Sequence, residues 1–288
     1  MRHGLIFAAA MLCGLGAAAN TAGAVTLVSD ARLTLPEFAR KSGQDPALFE
    51  NRYAATGMIV CSGVYSTAQL TVKNDVVTTA AHAFYDTDGN PRGDLSTCHF
   101  NVMSDGKQLQ VPLDVASLVV GSRNPYAVAP VHDWAVVRLV QAVKSAQPYG
   151  ISEPGPVGTN IVMLAHRHRG WVHDGAKAIE PCAIRVESLT EKDMPRELAI
   201  DCSAGEGASG SAIMVPGEAG AMVGIYVGWR STHPDRPGPF SMTHMNFGVA
   251  VEGPFRTAIV AMTSPPIVEQ MPAPAEHAAA DTASTRLR

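Results

Sequence analysis

From residue 54 onward the sequence is a succession of short apolar segments separated by turn residues. TGMIV, QLTVKNDVVTTA, QLQVPLDVASLVV and WAVVRLV come first. TNIVMLAH, AIRVESL, ELAIDC, SAIMV, AMVGIYVGW and FGVAV follow. β-Branched residues are frequent, and several segments alternate apolar with polar, as strands with one face buried do. Few stretches carry the i, i+3, i+4 repeat of a long amphipathic helix. The expected fold class is therefore all-β, a barrel or a sandwich. With 288 residues the chain is long enough for two small β domains.

The flanks differ from this body. Arg2 and His3 precede a small-residue-rich apolar run over residues 5–19, and Ala22-Gly23-Ala24 has the A-x-A form of a secretory cleavage site. The run is short for a membrane anchor. Cys13 would suit a lipoprotein only if a small residue stood before it, and Leu12 stands there. The expected division is a signal peptide over 1–24 and an N-terminal extension or pro-segment over 25–52, with LPEFARKSG forming one or two helical turns. A first β domain spans 53–144. A linker over 145–158 carries Pro148, Pro154 and Pro156, and a second β domain spans 159–262. A Pro/Ala-rich tail over 263–288 has the composition of a disordered segment. The net charge of -4 gives no electrostatic case for nucleic acid, and no segment after the signal is apolar enough to hold a membrane.

The chemistry concentrates in three places. GEGASGSAIM sets Ser209 between Gly207 and Gly210, where the backbone can turn sharply and approach a substrate. The N–H groups of Gly207 and Ser209 can then point at one spot, as an oxyanion hole requires. A serine hydroxyl needs a base to take its proton, and histidine titrates in the right range. A carboxylate holds the imidazole in the right tautomer and stabilises its cation. His82, in VVTTAAHAF, and Asp133, in VHDWAVVRL, supply these two types upstream. Taken singly, a histidine in an apolar run is usually a hydrogen-bonded core residue, and an Asp ahead of a strand is usually a turn residue.

Other patterns are weaker. Gly205, Gly207 and Gly210 match G-x-G-x-x-G, but a β pattern follows where a dinucleotide site needs a helix. The lipase G-x-S-x-G fails because Ser211 occupies its second glycine. His166, His168, His173 and Asp174 could be read as metal ligands, but Arg167 and Arg169 between them favour a polar strand end or loop. Asp86, Asp88 and Asn90 resemble the start of a calcium loop, but Thr97 stands where its bidentate Glu belongs. No metal or cofactor is expected. Trp134, Trp171 and Trp229 read as packing residues, with Trp229 a candidate for the border of a cleft. Once a signal is removed, Cys61, Cys98, Cys182 and Cys202 remain. This even number in an exported chain suggests two disulfides, with three pairings possible.

TAAH, HDWAVVRL and GASGS, in this order, resemble the histidine, aspartate and nucleophile motifs of the chymotrypsin-like (trypsin-like) serine peptidases. MVGIYVGW and NFGVAV resemble the strands that follow, and the likeness runs over residues 54–262. Ala208 precedes the serine where vertebrate-type members carry Asp, and Ala83 follows the histidine where Cys is usual. The wording is closer to the bacterial secreted branch that includes glutamyl endopeptidases.

The resemblance implies two packed antiparallel six-stranded barrels with the active site in the cleft between them. It implies Ser209 as nucleophile, His82 as base and Asp133 as orienting acid, with an oxyanion hole from Gly207 and Ser209. Ser203, Tyr226, Val227 and Gly228 would bind the substrate residue ahead of the scissile bond. They include no carboxylate, so a neutral or small apolar residue is expected there. In this two-domain arrangement Cys61 pairs with Cys98 and Cys182 with Cys202. The function implied is a secreted or periplasmic serine endopeptidase, a monomer acting on peptide or protein substrates. The alternatives are a catalytically idle binding module on the same fold, or an esterase using the same triad.

Overall fold

The computed structural model describes residues 25–104, 106–189, 191–217 and 220–263. The expected signal peptide and all but the first residue of the expected tail lie outside the described residues.

Three short elements come first: β1 (Leu33–Thr34), α1 (Leu35–Lys41) and α2 (Pro46–Arg52). Six strands then form the first barrel: β2 (Thr56–Cys61), β3 (Val64–Leu70), β4 (Val76–Thr79), β5 (His99–Ser104), β6 (Lys107–Val120) and β7 (Ala135–Leu139). They close in the order β2-β3-β4-β7-β6-β5, with β5 returning to pair with β2. The β2–β3 hairpin turns at Ser62 and Gly63, both at positive φ (48° and 80°). Two left-handed residues between paired Cys61 and Val64 are what a two-residue hairpin matched to strand twist needs.

The second half contains β8 (Gly150–Ile151), β9 (Asn160–Ala165), β10 (Ala178–Ser188), β11 (Glu197–Ile200), β12 (Ala212–Val215), β13 (Ala221–Ser231) and β14 (His244–Ala250). Its barrel runs β10-β11-β14-β13-β12-β9 and closes through the β9–β10 pair. Two short strands lie outside this ring: β1 on β10, and β8 parallel to β13. The fold is thus two closed, six-stranded antiparallel barrels. A closed barrel leaves no free edge, so every strand can fill its inward face with apolar side chains. Ile59, Leu70, Val77, Phe100 and Val111 do this in the first barrel, and Ile161, Met163, Ile184, Leu198 and Ile213 in the second.

The connecting segments are more tightly held than their composition suggests. Within residues 145–158, Tyr149 is buried, its hydroxyl 2.8 Å from Thr56 Oγ1 and its N–H on Leu70 O. Residues 25–52 pack on the body of the protein. α1 begins with a capping box between Thr34 and Glu37, and α2 has Asp45 as N-cap ahead of Pro46. These caps free the two helices to bury Leu35, Ala39 and Phe49 in the main core. A third helix, α3 (Gly253–Thr263), follows β14 and returns to the first barrel, where Phe255 stacks on Trp134 with ring centres 5.2 Å apart.

Cys61 is bonded to Cys98 and Cys182 to Cys202, one bridge in each barrel. Replacing either pair by alanines should lower stability by about 2–5 kcal/mol. Denaturant melts of each double variant check this, and non-reducing peptide maps should recover both bridges and no link between the halves.

Candidate active site

β4 and β7 pair antiparallel with Thr79 opposite Ala135, so the residues just past the end of one strand meet those just before the other. Beyond β4 a 3₁₀ turn at Ala81–Ala83 carries His82. A second such turn, Pro130–His132, delivers Asp133 ahead of β7. The carboxylate grips the histidine twice: Oδ1 accepts the His82 backbone N–H at 2.9 Å, and Oδ2 lies 2.6 Å from Nδ1. An ionised carboxylate has only acceptors, so Nδ1 carries the proton and Nε2 is left as the basic nitrogen. Asp133 is 7% exposed, which keeps water from competing for these bonds.

Ser209 comes from the other barrel, on the loop between β11 and β12. Gly207 (φ +87°) and Gly210 (φ +81°) flank it in the left-handed region. At Gly210 a Cβ atom would lie 2.1 Å from Thr67 O, so no larger residue fits the approach of this loop to the first barrel. Among the described residues the N–H groups of Gly207 and Ser209 have no acceptor, although their neighbours Ala208 and Gly210 donate to Gly205 O and Tyr226 O. The Ser209 hydroxyl likewise has no partner among the described residues. His82, Asp133, Gly207 and Ser209 line one cleft of about 810 Å³ between the barrels.

The four residues expected to bind substrate divide. Tyr226, Val227 and Gly228 line the cleft. Ser203 does not: it is fully buried, its hydroxyl accepts the Leu27 N–H at 3.0 Å, and its N–H goes to Glu180. It holds the N-terminal segment against the back of the wall. Trp229 borders the cleft as its position suggested, and Phe247 joins it. The Phe247 ring covers Gly228 closely enough that a Cβ there would come within 2.9 Å, and the Arg230 guanidinium lies over the ring, 4.4 Å from its centre.

Several cleft residues have no signal in the sequence. Tyr126 lies beside the His82 ring, with centres 5.8 Å apart. Arg92 donates from Nε to His82 O and from its terminal nitrogen to the Tyr126 hydroxyl. Arg167 and Arg169 reach the cleft from beyond β9, paired with Asp174 and Glu206. His168, buried between them, and half-buried His166 have no partner for Nδ1 among the described residues, and burial lowers the pKa of His166 to about 4 and of His168 to about 3. His173 projects outward near Glu37. Among the described residues no three His, Cys, Asp or Glu side chains gather as a metal-binding group.

No protein-family model matches the chain, and no curated sequence matches it. Solved structures do. A Glu endopeptidase in complex with MPD superposes with a TM-score of 0.60 at 16% identity, covering 83% of this chain and 99% of that one. A thermostable serine protease, AL20, from an extremophilic microorganism gives a TM-score of 0.52 at 16% identity, covering 73% of this chain and 98% of that one. With the two closed barrels, these likenesses establish that the chain has the chymotrypsin-like serine protease fold.

Proposed function

We propose that this protein is a serine endopeptidase exported to the periplasm or the cell exterior, and that it cleaves peptide bonds through an acyl-enzyme. One observation carries the reading: a His82–Asp133 pair joined by two hydrogen bonds shares a cleft with Ser209 and two N–H groups that have no acceptor among the described residues. Ser209 Oγ attacks the scissile carbonyl while His82 Nε2 takes its proton. The N–H groups of Gly207 and Ser209 receive the oxyanion as it forms. His82, held in its tautomer by Asp133, passes the proton to the leaving amine and then activates water for deacylation. The disulfide in each barrel supports an oxidising compartment.

Labelling by an active-site phosphonate, with the modified residue mapped, tests the reading. Modification at Ser209 together with cleavage of a peptide panel is the expected result. An inert wild-type protein would favour an idle binding module, and hydrolysis of esters alone an esterase.

Tyr226, Val227, Gly228 and Phe247 carry no charge of their own, although Arg230 lies over the Phe247 ring and Arg167 and Arg169 reach the same cleft, and Phe247 closes over Gly228. The expected cleavage is after a neutral or small apolar residue. A peptide-library profile checks this, and a profile dominated by Lys, Arg or Glu ahead of the cleaved bond would overturn it.

A further inference from the structure

The four carbonyls of the nucleophile loop are all occupied. Glu206 O accepts the Arg169 N–H at 2.8 Å. Gly207 O accepts both the N–H (3.1 Å) and the hydroxyl (2.7 Å) of Thr67. Ala208 O accepts the N–H of Ser211 at 2.9 Å and its hydroxyl. Ser209 O accepts the Ser66 hydroxyl at 2.8 Å.

In a trans peptide the C=O and the following N–H point in opposite directions. Each of these bonds therefore aims the N–H of the next residue. Drawing the Gly207 and Ser209 carbonyls toward the first barrel turns the N–H groups of Ala208 and Gly210 back to Gly205 O (3.1 Å) and Tyr226 O (2.7 Å). Drawing the Glu206 and Ala208 carbonyls the other way leaves the N–H groups of Gly207 and Ser209 facing the cleft.

Half of this alternation is set from across the barrel interface. Ser66 and Thr67 lie in β3, and Thr79 in β4, three positions before His82. Thr79 Oγ1 donates to Thr67 O at 2.7 Å and lies 3.1 Å from Ser66 Oγ. Thr67 Oγ1 also accepts the His166 N–H at 3.0 Å, which commits its proton to Gly207 O. All three side chains are buried, so no water can substitute for a lost donor without entering the core.

We propose that Ser66, Thr67 and Thr79 are positioning residues, a hydroxyl bridge between the barrels that fixes the Gly207–Ala208 and Ser209–Gly210 peptide planes and so keeps the intervening planes, with the Gly207 and Ser209 N–H groups, turned toward the cleft. The proposal rests on the serine-hydrolase reading of the site. None of the three touches substrate. They act by holding the peptide planes that alternate with those carrying the oxyanion donors, and Thr79 ties them to the end of β4, just ahead of the turn that carries His82.

The test is Thr67→Val combined with Ser66→Ala, which removes two donors and little volume. Removing an oxyanion donor outright costs about 10²–10³ in kcat, so mis-aiming both should cost roughly 10- to 100-fold. KM should stay within about twofold and the pH profile should not move, because substrate contacts and the His82–Asp133 pair are intact. Phosphonate labelling should slow in parallel, and Thr67→Ser on its own should match wild type. An unchanged kcat in the folded variant, or a lowered melting temperature alone, overturns the proposal. Should the double variant not fold, Ser66→Ala alone removes the sole donor on Ser209 O among the described residues. It should lower kcat by about fivefold, short of the loss of an oxyanion donor itself. If wild-type Ser209 does not label at all, the peptidase reading falls. A crystal structure of the variant then decides the bridge separately: rotated peptide planes between Glu206 and Gly210 uphold it, and unmoved planes overturn it.

Discussion

Ser209→Ala and His82→Ala should each lower turnover by roughly six orders of magnitude, about 8 kcal/mol of transition-state stabilisation. Without Oγ no acyl-enzyme can form. Without Nε2 the hydroxyl keeps its proton and remains a poor nucleophile. Combining the two changes should add little, because neither group works without the other. Asp133→Ala should be milder, at roughly four orders, since the imidazole remains and loses only its orientation. The Ser209 change removes one hydroxyl with no partner among the described residues, so the fold should keep its full stability. Turnover and thermal melts on protein free of contaminating protease measure both effects. Wild-type hydrolysis by Ser209→Ala would sink the assignment.

Gly210→Ala should damage both stability and turnover, by a different route. At φ +81° an L-residue costs about 1–2 kcal/mol before any contact is counted. The added methyl would also meet Thr67 O at 2.1 Å and Thr79 Oγ1 at 2.4 Å, neither the end of a flexible side chain. The loop must move off the first barrel, with a total cost of about 3–5 kcal/mol and at least about 10² in turnover as the oxyanion donors lose their aim. Gly43 is the control. It has a similar φ of +67° with nothing within 4 Å of the methyl an alanine would add, so Gly43→Ala should show the backbone cost alone. Denaturant unfolding and phosphonate labelling of the two variants side by side separate clash from strain. Equal stabilities with wild-type labelling in both would show that the close approach at Gly210 is unimportant.

The barrels are legible because closed β-sheets write their period directly into the chain. TNIVMLAH contains β9, and FGVAV covers the last four residues of β14 and the one after it. The three catalytic candidates are legible because each stands in a local motif fixed by its own turn. What stays hidden depends on long-range approach. Ser203 lies close in sequence to the nucleophile loop, yet its hydroxyl is taken by Leu27, 176 residues away. Tyr126 and Arg92 stand in irregular segments with no periodicity, and only the fold brings them to His82. α3 merges in sequence with the end of the last barrel because Phe255, Ile259 and Met262 are too few to declare a helical face among so many apolar strands. The N-terminal helices, open between pro-segment and extension, owe their burial to Leu35, Ala39 and Phe49 meeting a surface built from both halves.

The stitching of residues 25–34 has a consequence for how the molecule is made. Val25 O accepts the side-chain amide of Asn246, 221 positions downstream, and Ala31 N–H finds Glu180, 149 positions downstream. A growing chain offers residues 25–34 early, and these partners do not exist until Glu180 and Asn246 have been made. The first barrel can close on itself once residue 139 exists, whereas the second must wait for its last strand and for the far end of the polypeptide to fold back along it. Such sequence-distant closure is slow. It leaves a span in which the first barrel exists but the cleft between the barrels does not, so under the proposed reading the site is assembled only after β14 has joined the second barrel.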